Sequence, residues 1–293
     1  MRNMQKQTKI FLILFLVPSV FGFIVFSLIP MISAFYLSFT SWDVIGGAPE
    51  WIGMKNYIDI FRSEEFYRVM RNTLKFITFY IPSIMVSSLL VALLFDRKIK
   101  GMGMFRVLLF IPVLTSWIAG AIIWRSVLSG QYGLMNNLLA LFSIKGPAWL
   151  TDPDWAMIAV VMVSVWKDLG FFSLILFGGL RGIDKTLYEA AKIDGATSFQ
   201  VLRRITIPLL TPTIFFVLVT TIINSFQLFP QVMVMTGGGP DGATQVMVER
   251  IYTYGFRYFE MGYAAAMAVI LLLIIVIVTI VQMRLQKKWV FYE

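Results

Sequence analysis

The feature that most constrains this chain is a set of apolar runs, each about as long as a bilayer is thick. The first, Ile10–Thr40, contains no charged residue, and about 20 apolar residues in a helix are enough to cross a membrane. Charged residues make up 14% of the chain, against roughly 25% in soluble domains. A soluble fold could not bury so much apolar surface. The sequence therefore predicts an all-α integral membrane protein.

Six runs qualify as transmembrane helices, and the fourth is interrupted by the charged pair Lys167–Asp168. The segments between the runs are too short for a soluble domain, so we expect residues 1–293 to form one transmembrane domain. The predicted spans are residues 10–40, 76–95, 107–124, 155–180, 211–235 and 264–283.

The distribution of lysine and arginine predicts the orientation of these spans. With both termini in the cytoplasm, the inner segments 1–9, 97–106, 181–204 and 284–288 hold fifteen basic residues, and the outer segments hold seven. Cytoplasmic loops of membrane proteins carry an excess of basic residues. We therefore expect both termini in the cytoplasm.

The chain lacks the residues that most enzymes and metal sites need. It contains neither histidine nor cysteine, which removes the commonest general base and the usual zinc ligands. It also has no Gly-Lys-Ser/Thr phosphate-binding sequence. We expect no catalytic residue, no bound metal and no cofactor in this chain, and the net charge of +9 does not indicate nucleic-acid binding.

The loop between the fourth and fifth spans, residues 186–208, is the most informative hydrophilic segment. Thr186 with Glu189, and Thr197 with Gln200, have the spacing of helix capping boxes. Gly195 suits the end of the first helix. The loop is thus predicted to be two short, capped helices with a glycine turn between them, which is more structure than a simple connection needs. We interpret it as a docking element.

The same loop resembles the EAA motif of ABC importer permeases. Its pattern is Glu189-Ala-Ala, three residues, Gly195, nine residues, Ile205, one residue and Ile207-Pro208, where the family usually has leucine in place of Ile207. In that family the loop is the coupling helix that docks into the ATP-binding subunit. The residues implied to carry this contact are Glu189, Ala190, Ala191, Asp194 and Gly195.

Further segments resemble the carbohydrate-uptake, maltose-like branch of this family. They are Trp166–Phe171, the glycine-rich Thr236–Pro240, and Gly262–Ala266. The resemblance covers roughly residues 160–293. It implies a second permease, two ABC ATPase subunits that use ATP and magnesium, and an extracytoplasmic solute-binding protein. It also implies a sugar substrate, residence in the plasma membrane of a bacterium or archaeon, and no enzymatic activity in this chain.

The fifth predicted span carries a polar stripe that could line a solute path. Thr213, Thr220, Asn224, Gln227 and Gln231 follow steps of seven, four, three and four residues, which places them on one helical face. Amide groups and aromatic rings suit a sugar, but such a stripe can also join helices. The candidate path residues are Asn224, Gln227, Gln231, Phe226, Phe229, Trp166, Lys167 and Asp168.

Several alternatives stay open at this point. Lys167 and Asp168 could line a pore, pair with a partner permease, or lie at an interface if the fourth span begins late. Trp117 and Trp124 could stack on a substrate or simply pack. The solute could be a sugar or, with help from Lys167, glycerol 3-phosphate. An ion-coupled secondary transporter, or a membrane-embedded enzyme that uses carboxylates, would need titratable groups that the spans scarcely offer.

Overall fold

The computed structural model describes residues 14–43, 46–97, 99–130 and 132–291. Helices dominate this part of the chain. In its first half they are α1 (Leu14–Leu37), α2 (Lys55–Arg62), α3 (Glu64–Phe95), α4 (Met102–Leu114), α5 (Trp117–Val127) and α6 (Leu134–Leu141), and the two-residue strands β1 (Thr40–Ser41) and β2 (Glu50–Trp51) form an antiparallel pair.

The second half continues the helical pattern, with short π-helical segments. Its helices are α7 (Pro153–Gly182), α8 (Lys185–Ile193), α9 (Ser198–Phe226), α10 (Pro230–Met235), α11 (Met247–Tyr252) and α12 (Met261–Gln286).

Five of these helices, α1, α3, α7, α9 and α12, are long and apolar enough to cross a membrane. The pair α4 and α5 makes a sixth if the two count as one span. This result agrees with the predicted all-α membrane fold of six apolar segments. Residues 10–13 of the first predicted span lie outside the described residues.

The third apolar segment differs from the prediction of one straight helix over residues 107–124. The axes of α4 and α5 meet at an angle of 100°. Thr115 and Ser116 are extended, and the Ser116 side chain accepts a hydrogen bond from the Ile118 amide at the start of α5. Pro112, which lacks a backbone donor, and this serine cap together end one helix and begin the next.

The fifth span also differs from the prediction over residues 211–235. The helix begins at Ser198 and ends at Phe226, and α10 follows after a three-residue break. The polar stripe therefore does not continue along one helix beyond Asn224. The charged pair Lys167–Asp168 lies in the middle of α7, so the fourth span does not begin late.

The described residues divide into two compact units, one within residues 1–63 and 250–272, and the other within residues 64–249 and 273–293. In the first unit the Asn56 side chain donates to the carbonyls of Ser38 and Thr40 and so fixes the turn into β1. Phe39 stacks on Trp51 with 5.4 Å between ring centroids.

The second unit has its core between α3, α7 and α9. Tyr80, Leu176 and Val217 are among the fully buried side chains of this core. Gly170 lets α7 approach α4 closely, since a Cβ atom there would collide with the backbone of Leu109. The second unit contains every residue of both candidate sites described next.

Candidate functional site

The first candidate site is the helical loop that follows α7. Helix α8 begins at Lys185 because the Asp184 side chain accepts a hydrogen bond from the Thr186 amide at 2.9 Å. This bond lowers the pKa of the Asp184 carboxyl. The predicted capping box of Thr186 with Glu189 is therefore wrong, since the cap lies two residues earlier. Asp184 has the short acceptor side chain that this position favours.

The glycine turn after α8 is confirmed. Gly195 has a φ of 72°, its amide donates to the Lys192 carbonyl, and the next amide, of Ala196, donates to the Ala191 carbonyl. This pair of bonds is the Schellman motif, which needs a left-handed residue after the helix. The turn sets the direction in which the chain leaves α8.

The second capping box is also confirmed, since the Thr197 and Gln200 side chains each accept from the other's backbone amide. The helix that it starts is not short. It passes through a π-helical turn at Leu202–Thr206 and continues through Pro208 into the fifth span. The loop is thus joined to a membrane-spanning helix with no extended residues between them, so a movement of the loop would also move that helix.

Four of the five predicted docking residues are exposed: Glu189, Ala190, Asp194 and Gly195. Ala191 is buried, so it packs against this chain. The loop also exposes apolar side chains, with Ile193 at 87% and Phe199 at 67% exposure. Such side chains on a hydrophilic loop are typical of a protein–protein contact.

The second candidate site is a cavity of about 240 Å³ next to the breaks in the third and fifth spans. It takes residues from α3, the start of α5, the middle of α7, and the segment that joins α9 to α10. The lining residues are Phe76, Tyr80, Trp117, Ser164, Asp168, Asn224, Ser225, Gln227, Leu228, Pro230 and Gln231.

Four of the predicted path residues line this cavity: Asn224, Gln227, Gln231 and Asp168. Asn224, Gln227 and Gln231 all line the cavity although the helix breaks after Phe226. Asp168 accepts a hydrogen bond of 2.6 Å from the Tyr80 hydroxyl. Gln231 is 6% exposed, and its side-chain oxygen is buried without a hydrogen-bond partner among the described residues.

The other four predicted path residues lie elsewhere. Trp166 packs edge-on against Trp124 at 5.4 Å. Phe226 is buried, and neither it nor Phe229 is among the residues that line the cavity. Phe229 follows the end of the helix at Phe226, so the helical spacing does not predict its place.

Lys167 turns to the broken helix α4 and away from the cavity. Its ammonium group donates to the carbonyls of Pro112 at 2.5 Å, Val113 at 3.0 Å and Thr115 at 2.7 Å. An ammonium group has three hydrogens to donate, and these bonds use them. The carbonyls lie at the C-terminus of α4, where a helix leaves carbonyls without intrahelical partners, and the Pro112 carbonyl also accepts from the Thr115 amide and hydroxyl. Lys167 thus closes the end of α4.

Phe76, Tyr80 and Ser164 line the cavity although they were not predicted from the sequence, and Trp117, which the sequence left open, lines it as well. The spacing of these residues along their helices could have identified them. Phe76 and Tyr80 are four residues apart and stack at 5.0 Å, and Ser164 stands one turn before Asp168 on the same face of α7. What the sequence does not show is that these faces of α3 and α7 meet.

Comparison with known proteins agrees with this architecture. Residues 61–290 match the model of the family described as binding-protein-dependent transport system inner membrane component. The chain is 34% identical over 284 residues to the probable ABC transporter permease protein YesP of Bacillus subtilis (strain 168), covering 95% of this chain and 91% of that protein.

Two further relatives extend the comparison. The trehalose/maltose transport system permease protein MalF of Thermococcus litoralis is 29% identical over 272 residues, covering 93% of this chain and 92% of MalF. The fold is that of a chain in a bacterial alginate ABC transporter solved with an alginate pentasaccharide-bound periplasmic protein, with a TM-score of 0.84, 24% identity and 96% coverage of both chains. The chain therefore belongs to the family of inner-membrane components of binding-protein-dependent transport systems, as a permease subunit of an ABC importer.

Proposed function

We propose that this permease forms, with a second permease, the path for a sugar or oligosaccharide, and that the cavity beside Trp117 is its substrate site. The observation that carries this proposal is the composition of the cavity. Three amide side chains, from Asn224, Gln227 and Gln231, share it with the rings of Phe76 and Trp117. Amides can donate to and accept from hydroxyl groups, and aromatic faces offer an apolar platform for a sugar ring.

The proposed motor is a pair of separate ABC ATPase subunits that use ATP and magnesium, with contact made by the loop from Lys185 to Gln200. In support, the loop exposes Ile193 and Phe199 and continues directly into α9, whose C-terminal end reaches the cavity at Asn224. A shift of the loop would thus be transmitted along one helix to the substrate site. ATP binding can bias the permease only if the ATPase contacts its two conformations differently.

The proposed solute donor is an extracytoplasmic binding protein. In the proposed orientation, both termini of the permease lie in the cytoplasm. The excess of basic residues in the segments on the side of the termini supports this orientation. The solute class is supported by a relative that is named for trehalose and maltose transport. Glycerol 3-phosphate is the alternative substrate that the sequence left open.

Uptake into proteoliposomes tests this function. The permease is reconstituted with its partner permease, ATPase subunits and binding protein, and uptake of labelled trehalose and maltotriose is measured with and without internal ATP. We expect ATP-dependent uptake that Asn224→Ala reduces about tenfold, the effect of one lost hydrogen-bonding group of roughly 1.4 kcal/mol.

Thr220→Ala is the matched control, because Thr220 lies one turn earlier on α9 and its hydroxyl bonds to the Phe216 carbonyl of its own helix. We expect that variant to transport normally. Uptake that needs a proton or sodium gradient and no ATPase subunit would overturn the proposal.

A further inference from the structure

We propose that Asp168 makes the cavity selective for uncharged, hydroxyl-rich ligands and excludes anionic ligands of the same size. This inference rests on the proposed function of the cavity as a sugar site and specifies the charge of its substrate. It decides between the two solute classes that the sequence left open, because glycerol 3-phosphate is anionic.

The lining of the cavity carries one charged side chain, Asp168, and the positive charge of the adjacent Lys167 lies outside that lining. The lining residues include neither lysine nor arginine. The adjacent Lys167 is committed to three carbonyls at the end of α4, and its ammonium group lies 5.4 Å from the centre of the Trp117 ring. Carbonyl dipoles at a helix C-terminus favour a cation. Lys167 therefore has no hydrogen left to donate to an anion in the cavity.

The wall offers hydrogen-bond acceptors beside the amide donors of Asn224, Gln227 and Gln231. The Gln231 side-chain oxygen is buried and without a partner among the described residues, which costs free energy until a donor arrives. The hydroxyls of Ser164 and Ser225 donate to the Val160 and Thr221 carbonyls of their own helices, so they face a ligand as acceptors. Asp168 receives the Tyr80 hydrogen at one of its two oxygens.

A wall with one carboxylate and both acceptors and amide donors suits uncharged ligands whose hydroxyls can donate as well as accept. Sugar hydroxyls can donate to Gln231 and Asp168, whereas an ionised carboxylate or phosphate brings further acceptors and a charge of the same sign as Asp168. Like charges inside a protein repel more strongly than in bulk water. The Tyr80 hydrogen bond holds the Asp168 carboxylate at the cavity wall, where this repulsion acts on the ligand.

The test measures binding to the assembled transporter with its partner subunits, purified without the binding protein so that the binding protein's own selectivity does not enter. The two ligands are maltotriose and the same trisaccharide with one hydroxymethyl group oxidised to a carboxylate. Calorimetry gives both dissociation constants at neutral pH. In the wild type we expect the acidic sugar to bind weaker by on the order of tenfold or more.

Asp168→Asn removes the charge and keeps an acceptor oxygen for Tyr80, so we expect the two dissociation constants to approach each other. Asp168→Ser, smaller and also uncharged, is the second variant in case the asparagine variant does not assemble. Asp154→Asn is the matched control, because Asp154 is an exposed residue of the same helix and should leave the discrimination unchanged.

The possible outcomes test the role of Asp168 separately from the proposed function of the cavity as a sugar site. If the wild type binds neither sugar, the proposed sugar site is wrong. If it binds maltotriose but discrimination is absent, or if discrimination persists in both Asp168 variants, the sugar site stands and the role of Asp168 is overturned. A collapse of the discrimination in the Asp168 variants alone supports the inference.

Discussion

Lys167 shows how one side chain can allow a membrane-spanning segment to break. Carbonyl groups left unpaired within a bilayer cost several kcal/mol each, and the bend after α4 brings the carbonyls of Pro112, Val113 and Thr115 within reach of a donor on α7. The ammonium group of Lys167, on the neighbouring helix α7, donates hydrogen bonds to these carbonyls at distances of 2.5 to 3.0 Å. The break brings Trp117, the first residue of α5, to the cavity.

Replacement of Lys167 by methionine should therefore destabilise the permease. The change keeps most of the side-chain volume but removes the Lys167 donor from the Val113 and Thr115 carbonyls, while the Pro112 carbonyl keeps the Thr115 amide and hydroxyl. We expect a loss of about 2–4 kcal/mol, measured as a lower midpoint of thermal unfolding in detergent. Lys145→Met, at an exposed lysine, should leave the midpoint unchanged. Equal midpoints for Lys167→Met and the wild type would contradict the role of Lys167 at the break.

Gln231 should show opposite effects on stability and on binding. Its side-chain oxygen is buried without a partner, so Gln231→Met removes an unsatisfied acceptor and should leave stability equal or raise it by up to about 1 kcal/mol. The same change removes an acceptor for a sugar hydroxyl and should weaken maltotriose binding about tenfold. Thermal unfolding and calorimetry on the same sample check both effects, and a large loss of stability would show that the oxygen is paired.

The sequence predicted the amide side chains of the cavity better than its charged and aromatic ones. Asn224, Gln227 and Gln231 are polar residues in an apolar run, and polarity alone identified them as candidates. The direction of Lys167 depended on carbonyls 52 to 55 residues away in the chain, which exist as acceptors only because α4 ends there. That break is a tertiary feature, so no pattern around Lys167 could reveal it.

At the scale of elements, apolar length predicted where the helices are, and local capping residues decided where they begin and end. The Thr197 cap and the Gly195 turn follow directly from their residue types. The Asp184 cap was missed because Thr186 also had suitable spacing, and two candidates only two residues apart cannot be separated by sequence alone. The continuation of the second loop helix through Pro208 depends on the π-helical turn before it, which has no clear sequence signal.

The Gly195 turn gives a test of the loop that depends on backbone conformation alone. The space beside Gly195 is open, since a Cβ atom there would meet no atom within 4 Å, but its φ of 72° is costly for a β-branched residue. Gly195→Val should therefore uncouple ATP hydrolysis from sugar uptake, whereas Gly195→Asn should retain coupling because asparagine tolerates this conformation.

The measurement is the ratio of sugar taken up to ATP hydrolysed in proteoliposomes. We expect the valine variant to lose most of this ratio and the asparagine variant to stay near the wild type. Gly182→Ala is the control, because Gly182 also has open space beside it and lies in a helix of ordinary backbone conformation. Normal coupling in Gly195→Val would show that the shape of this turn does not matter for docking.

At the scale of the whole molecule, the orientation in the membrane links the two candidate sites to the proposed transport. The basic segments predict that the loop after α7 faces the cytoplasm and that the segment between α6 and α7 faces outward. The absence of cysteine from the sequence makes single-cysteine labelling clean, because every signal comes from the introduced residue. Ser198→Cys reports on the loop, and Lys145→Cys reports on the segment after α6. Both positions are exposed.

With intact cells and a maleimide that does not cross the membrane, we expect Lys145→Cys to be labelled and Ser198→Cys to be protected. In inside-out vesicles the pattern should reverse, and the wild type should remain unlabelled in both preparations. A labelled loop in intact cells would place the proposed ATPase contact on the wrong side of the membrane. Because ATP is available to the motor only in the cytoplasm, that result would remove the physical basis for coupling through residues 185–200, whatever the sugar cavity binds.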